Sequence, residues 1–252
     1  MNKKTIILLL IILCIFILLY LLLLIIKKQI TESFEDAYII NLDKRPDRLE
    51  KVISHFKDLD LELYRAPAIF NEVGWKGCGL SHVSIVKMAK EKKLPYVLIM
   101  EDDCKPQENF KEIWPIIQEW LQKNPEKWDM YAGGNRYYSY HPNELSSIKP
   151  ICSIDNTIKL YYTKFVSAQF YYLNSSAYDT IIEWEEDMNK NNSWIPIDIW
   201  PDVKKMRIIT SVPFITVQEK DYSNIENTER DYTDGFYRNE EVLNTIENNI
   251  QC

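Results

Sequence analysis

The hydrophobic pattern changes period several times along the chain, and each change marks an element. Thr5 to Ile26 is a run of 22 uncharged residues, nearly all Ile and Leu, long enough for a helix that crosses a bilayer. It has no polar face, which argues against a buried core helix, and no small-residue cleavage site follows it as after a signal peptide. Beyond a short junction, Phe34 to Asp36, the segment Ala37-Tyr-Ile-Ile-Asn-Leu42 reads as a first strand. Leu49, Val52, Ile53 and Phe56 then recur at i, i+3, i+4 and i+7, predicting an amphipathic helix from Pro46 to Lys57. Pro46 suits the first turn of that helix. Leu61 to Ala68 is a second strand, placed near a sheet edge by Pro67.

The pattern continues as a doubly wound α/β protein would. Gly77-Cys-Gly-Leu-Ser-His82 opens a helix running to about Lys92, its glycines read as permitting unusual backbone angles and close approach to a ligand. Tyr96 to Met100 is continuously apolar and reads as a strand buried on both faces. Phe110, Ile113, Ile117, Trp120 and Leu121 mark a further helix in which Pro115 implies a kink or a late start. Trp128 to Ala132 is a third buried strand, closed by Gly133-Gly134-Asn135. Tyr137 to Pro150 reads as a loop. Ile158 to Tyr162 and Phe165 to Leu173 read as strands, and Asn174 or Ser175 caps a helix through Glu186. Ile208 to Val217 is a last strand, assigned to an edge because it contains Pro213, and Glu240 to Ile250 is a helix-like run.

Composition and charge narrow the class. Four of the 30 Lys and Arg residues precede Thr31 and all 37 Asp and Glu follow it, so residues 31–252 carry net −11. That argues against nonspecific nucleic-acid binding, which needs a basic face. The soluble portion is long enough for one full core, giving two parts: 1–30 as a cytoplasmic tip and anchor, 31–252 as one domain. Lys3 and Lys4 before the span are matched by Lys27 and Lys28 after it, and the acidic Glu32, Glu35 and Asp36 favour a cytoplasmic N-terminus. The expectation is a single-pass type II membrane protein with its domain lumenal or extracytoplasmic. Cys78, Cys104, Cys152 and Cys252 fit no zinc spacing, and the sequence leaves any disulfide pairing open. Asn174-Ser-Ser and Asn191-Asn-Ser match the glycosylation pattern, which is frequent by chance.

The chemistry centres on Glu101-Asp102-Asp103 at the carboxyl end of the central strand, where ligands bind in such folds. Alternation along a strand points Glu101 and Asp103 one way and Asp102 the other. Two converging carboxylates suit a hard divalent cation, Mn2+ or Mg2+, with substrate phosphates completing its shell; the alternative is an acidic, solvated loop. Lys44, Arg45 and Arg48 at a helix start suit the phosphates or base of a nucleotide, or are ordinary solvated charges. His82 has no nearby triad partners, and a lone histidine is more often a hydrogen-bonded structural residue than a catalyst. No P-loop appears, which disfavours a nucleotide hydrolase.

Six motifs in order resemble glycosyltransferase family 25, which includes lipopolysaccharide and procollagen galactosyltransferases. They are Tyr38-Ile-Ile-Asn-Leu-Asp-Lys-Arg-Pro-Asp-Arg48, Gly77-Cys-Gly-Leu-Ser-His82, Leu98-Ile-Met-Glu-Asp-Asp103, Trp128-Asp129 with Gly133-Gly134, Pro196-Ile-Asp198 and Pro213-Phe-Ile-Thr-Val-Gln218. Ser223-Asn224-Ile225 departs from an expected Ser-Asp-Ile, which bears on the acceptor rather than the fold. The resemblance implies a GT-A type, Rossmann-like α/β domain behind the single transmembrane helix. It implies a metal-dependent, inverting transfer of a hexose, galactose or glucose, from a UDP-sugar to a glycan or protein hydroxyl. Glu101 and Asp103 would hold the metal. Asn41, Asp43, Arg45, Arg48, Ser81, His82 and Asp102 form the donor side. Asp198 is the candidate base, with an N-cap as its alternative, while Trp194 and Gln218 are assigned to the acceptor. The competing reading is a catalytically silent sugar-binding or scaffold protein on the same fold.

Overall fold

The computed structural model describes residues 13, 15–21, 36–191, 194–223 and 228–252. An eight-stranded mixed sheet carries the fold, in the order β2 (Glu62–Pro67), β1 (Asp36–Asn41), β3 (Tyr96–Glu101), β8 (Phe170–Asn174), β5 (Met130–Ala132), β9 (Ile208–Val212), β7 (Ile158–Tyr162) and β6 (Lys149–Ile154). β2, β1 and β3 are parallel, as are β5 and β9. β8 runs antiparallel between β3 and β5, so the expected all-parallel neighbourhood of the central strand is corrected on that side. Helices α1 (Pro46–Phe56) and α3 (Phe110–Lys123) cover one face, while α2 (Gly74–Glu91) and α5 (Tyr178–Asn191) cover the other. The sheet is thus a Rossmann-like middle layer.

Strand periodicity sorts the core. Tyr96, Leu98 and Met100 join Phe56, Phe110 and Trp114 on the α1/α3 face, whereas Val97 and Ile99 join Val86, Ile181 and Trp184 on the α2/α5 face. β8 divides likewise, with Phe170 and Tyr172 on the first face and Tyr171 and Leu173 on the second. Trp114 packs edge-on to Phe170 at 5.5 Å and tilted to Tyr172 at 5.1 Å, contacts worth about 0.5–1.5 kcal/mol each beyond burial. The same alternation dictates that Glu101, next after Met100, faces α2.

Several element boundaries differ from the sequence reading. α2 starts at Gly74, so Gly77 and Gly79 lie inside it, and no described glycine has a positive φ. Their role is close packing: a Cβ at Gly79 would stand 2.2 Å from the Trp184 ring, and one at Gly77 2.6 Å from the Ile69 carbonyl oxygen. α3 begins ahead of Pro115 and continues through it, ruling out a late start. β9 is central, not an edge strand, because Pro213 follows it through a cis Val212–Pro213 bond and separates it from β10 (Thr216–Gln218). Of the expected 165–173 strand only the part from Phe170 forms, within a strand that runs Phe170–Asn174. Upstream, side chains replace ladder partners: Phe165 N–H donates to Asp202 and Val166 N–H to Asn135.

The expected 137–150 loop holds the one-turn helix α4 (Tyr137–Tyr140), a 3-10 stretch (Pro142–Ser147) and the start of β6. The last helix, α7, spans Thr233–Asn244 rather than 240–250. Beyond it the chain turns back along β6, where Cys252 is bonded to Cys152. Asn174 does cap the following turn, accepting from Ser176 N–H. It is buried and also donates to the Pro125 and Trp128 carbonyls, so it is no glycan acceptor. The Asn191 side chain lies outside the described residues, as does most of the apolar span Thr5–Ile26; residues 13 and 15–21 are helical and exposed. Among the described residues no helix is long and apolar enough to cross a membrane.

Candidate active site

The carboxyl ends of β1 and β3 open onto a cleft. Lys44 in the turn before α1, Arg48 of α1, the 68–71 segment, α2 (Gly74, Gly77, Cys78 and Ser81) and the acidic turn 101–103 line it, together with Gln218 and the 219–223 segment. β3 ends at Glu101, and Asp102-Asp103 form the turn into β4 (Cys104–Pro106). That ending corrects the expected alternation. Glu101 faces α2, whereas Asp102 and Asp103 both reach Arg48 of α1, whose Nη2 lies 3.0 Å from Asp102 Oδ1 and 2.6 Å from Asp103 Oδ2. Arg48 Nε adds Asp221 Oδ2 at 3.3 Å. Arg48 is thus buried as the counter-ion of an acidic cluster.

Each carboxylate has its own environment. Glu101 Oε1 is 3.1 Å from His82 Nε2 and 3.7 Å from Cys78 Sγ. Burial raises its pKa, but the His82 bond and charge and the Arg48 charge outweigh burial and hold it below the usual range. Asp102 accepts from Asn41 Nδ2 at 2.7 Å, yet burial, with the charges of Asp103 and Glu101, pushes it up to about 7. Asp103 accepts from Gln218 Nε2 at 3.1 Å. It too is raised, by burial and then by the Glu101 charge. Its other oxygen, Oδ1, is buried with no hydrogen-bond partner, an arrangement that costs free energy unless a cation or donor approaches. Three carboxylates facing one cleft, one oxygen of them unpartnered, fit a hard divalent cation.

Gln218 arrives because Gly133 and Gly134 let another segment lie on them. Ile215 and Thr216 both donate to the Gly133 carbonyl, at 2.8 and 3.1 Å, and a Cβ at Gly134 would stand 2.1 Å from the Thr216 carbonyl oxygen. β10 then pairs with β4, and Glu219 N–H donates to Asp103 O at 2.8 Å.

The remaining expected residues divide. Asn41 is buried and bridges Asp102, the Arg45 carbonyl and Arg65. Asp43 is exposed and pairs with Arg65. Arg45 clamps Asp47 at 2.8 Å and reaches Asp221 at 3.5 Å. Ser81 is buried, donating to the Gly77 carbonyl and accepting from Ile69 N–H at 2.8 Å, which holds the 69–71 cleft wall. His82 is fully buried, its Nδ1 2.9 Å from the Tyr171 hydroxyl. Asp198 precedes α6 (Trp200–Val203), whose N-cap is Ile199, so the N-cap alternative fails. Its carboxyl is raised by burial and then by the Glu101 charge, while Arg136 and His82 oppose. Trp194 is 73% exposed, tilted against Trp75 at 6.3 Å beside Lys76.

Sequence reasoning missed Cys78, Tyr171 and Asp221. Asp221 lies in β11 (Asp221–Ser223), paired with β12 (Thr228–Arg230), short strands whose polar residues carry no alternation. Asn224 and Ile225 lie outside the described residues.

The model of Glycosyltransferase family 25 (LPS biosynthesis protein) matches residues 72–200, just over half of the chain. The chain belongs to glycosyltransferase family 25. As a family 25 member it is a glycosyltransferase, and the matched stretch contains α2, the acidic turn, Gly133-Gly134 and Asp198. No curated protein matches the chain. Similar solved structures include A197 from STIV, 13% identical with TM-score 0.46 over 77% of this chain and 92% of that one. A glycosyltransferase involved in the glycosylation of the major capsid of PBCV-1 is 11% identical with TM-score 0.45, over 69% and 80%.

Proposed function

We propose that this family 25 enzyme is a metal-dependent, inverting hexosyltransferase of GT-A type, transferring galactose or glucose from a UDP-sugar to a glycan or protein hydroxyl. The observation that carries the reading is the buried acidic turn that lines the cleft, with Asp103 Oδ1 left unpartnered. Glu101 and Asp103 are the residues to hold Mn2+ or Mg2+. When bound, such an ion supplies Lewis-acid stabilisation of the charge on the departing diphosphate.

The chain's own groups do the rest. Leu42, Ala68, Ile69 and Phe70 form an apolar wall suited to the uracil ring, with Lys44 beside Phe70 on the phosphate side. Asn41 and Arg48 fix Asp102, which receives a ribose or sugar hydroxyl. Asp198, whose raised pKa makes it the stronger base, takes the acceptor's hydroxyl proton. The acceptor oxygen forms its bond to the anomeric carbon opposite the UDP oxygen, whose bond breaks with the electron pair going to UDP. Trp194, with its exposed ring, offers a stacking face for the acceptor, and Gln218 positions Asp103 from the other side.

The anchor and compartment belong to the same proposal: a type II single-pass protein with its domain in an oxidising lumen or outside the cytoplasm. The Cys152–Cys252 bridge supports an oxidising setting. The test incubates the full chain in mild detergent with a panel of UDP-sugars, with and without Mn2+, and reads free UDP. Release from one sugar, abolished by chelation and by Asp103→Asn with unchanged melting, is the expected result. Full transfer by Asp103→Asn would sink the metal assignment. No release from any donor and no Mn2+-dependent UDP binding would favour the silent sugar-binding reading.

A further inference from the structure

Beside the acidic turn lies a second group of donor atoms with a different chemistry. Cys78 and His82 are four residues apart on α2, so they share one face. Opposite them β3 ends in Glu101. The sulfur, a ring nitrogen and a carboxylate oxygen of these three all lie within 4.8 Å of one another. Glu101 Oε1 stands 3.1 Å from His82 Nε2 and 3.7 Å from Cys78 Sγ. In a tetrahedral zinc site, bonds of about 2.0–2.3 Å place neighbouring ligand atoms about 3.3–3.8 Å apart. Both separations from Glu101 are therefore near coordinating distance already.

We propose that Cys78, His82 and Glu101 form a site for a borderline-soft divalent cation, zinc by chemistry, which takes Glu101 away from the hard-cation site and so inhibits transfer. Thiolate and imidazole favour Zn2+ over Mn2+ or Mg2+, so the same ions do not compete equally for both places. The His82 ring is held by Tyr171 at Nδ1, the kind of outer bond that orients a ligating histidine. On binding, the Cys78 thiol proton leaves to water and its sulfur donates to the ion. His82 gives up to water the Nε2 proton that it shares with Glu101 and keeps the one on Nδ1, donated to the Tyr171 oxygen, leaving the Nε2 lone pair for the metal. Cys78 and Glu101 both line the cleft, so the fourth position faces it and is filled by water or an incoming anion. Of the two described free thiols, Cys104 is buried in the α1/α3 core and faces away from this group.

Binding is independent of the transferase reading, and only the inhibition rests on it; the two are read separately. The full chain in detergent, stripped of metal, is titrated with Co2+ as a spectroscopic substitute. A thiolate-to-cobalt charge-transfer band displaced by Zn2+ is expected. It is lost in Cys78→Ser, kept in Cys104→Ala, and weakened in affinity by about tenfold or more in Tyr171→Phe. Wild-type protein provides a check free of folding effects: Zn2+ protects Cys78 from alkylation, followed by mass spectrometry. No cobalt band, or a band that survives in Cys78→Ser, or Cys78 alkylation unchanged by Zn2+, overturns the site. If the protein transfers sugar, Zn2+ inhibits the Mn2+-supported rate, and Cys78→Ser shifts the inhibiting concentration upward by about tenfold or more. Equal inhibition of both proteins overturns the coupling through Glu101.

Discussion

Removing the Arg48 guanidinium is the sharpest perturbation of the site, because one buried cation faces three carboxylates. Arg48→Met keeps the stem that packs at the start of α1 and deletes contacts of 3.0 Å to Asp102, 2.6 Å to Asp103 and 3.3 Å to Asp221. Breaking a buried ion pair from one side costs about 3–5 kcal/mol, since the partner is left charged and unpaired. That is a large part of the roughly 5–15 kcal/mol that holds a domain folded. With a urea slope of about 2.5 kcal/mol/M, the unfolding midpoint falls by about 1.5 M in the presence of chelator.

Divalent cation then separates the electrostatic cause from lost packing. A ligand at a hundred times its dissociation constant stabilises by about 2.7 kcal/mol. The variant, having lost its internal counter-ion, gains more from Mn2+ than wild type does. Arg48→Lys keeps a charge but not the fork that spans Asp102 and Asp103, so it falls between the two. The assay is urea unfolding of the full chain by tryptophan fluorescence, with chelator and with Mn2+. An Arg48→Met midpoint within about 0.3 M of wild type in chelator would refute the buried-cluster reasoning.

Three further outcomes test other parts of the structure. Cys152→Ser, which opens a bridge across 100 residues of sequence, lowers stability by about 2–5 kcal/mol, and non-reducing electrophoresis shows slower migration. Gly134→Ala puts a Cβ 2.1 Å from the Thr216 carbonyl oxygen, costs about 1–3 kcal/mol, and lowers transfer beyond the stability loss because β10 carries Gln218 to Asp103. Asp202 accepts from Phe165 N–H, and burial, its main influence, raises its pKa from 3.8 to about 6. The folded state therefore binds the proton more tightly, and stability falls as pH rises through about 4 to 6. Asp202→Asn lacks that loss, so its advantage over wild type grows from nil near pH 4 to about 1–2 kcal/mol at pH 7, discounting for solvent screening. Parallel thermal melts across that range check it.

The parts of this molecule legible in its sequence are those where one local rule decides. The apolar run Tyr96–Met100 has to be a two-faced buried strand, and the 3.6-residue spacing of Leu49, Val52 and Phe56 has to put α1 on the sheet. Strand parity also predicts that Glu101 and Asp102 point opposite ways, and they do, Glu101 to His82 of α2 and Asp102 to Arg48 of α1. The reading failed one residue later, because parity holds only while the strand lasts. The turn at Asp102-Asp103 is set by β4 pairing with β10, more than a hundred residues away. A contact that distant leaves no trace in the local pattern, so Asp103 joined Asp102 on Arg48 instead of Glu101 on α2. The glycines of Gly77-Cys-Gly79 were misread for a related reason. Their backbone angles are ordinary helix, and what requires glycine is the Ile69 carbonyl beside Gly77 and the Trp184 ring arriving from α5 at Gly79. Cys78, whose spacing from the other cysteines fits no zinc pattern, gains its neighbours in the same way, where the face of α2 and the end of β3 converge. The cleft is therefore built where three long-range pairings meet: α1 with the acidic turn, α2 with the end of β3, and β10 with β4. Chemistry that depends on all three is lost when any one shifts, which is why substitutions at Gly134 or Arg48, neither of them placed against the reacting bond, are expected to reach it.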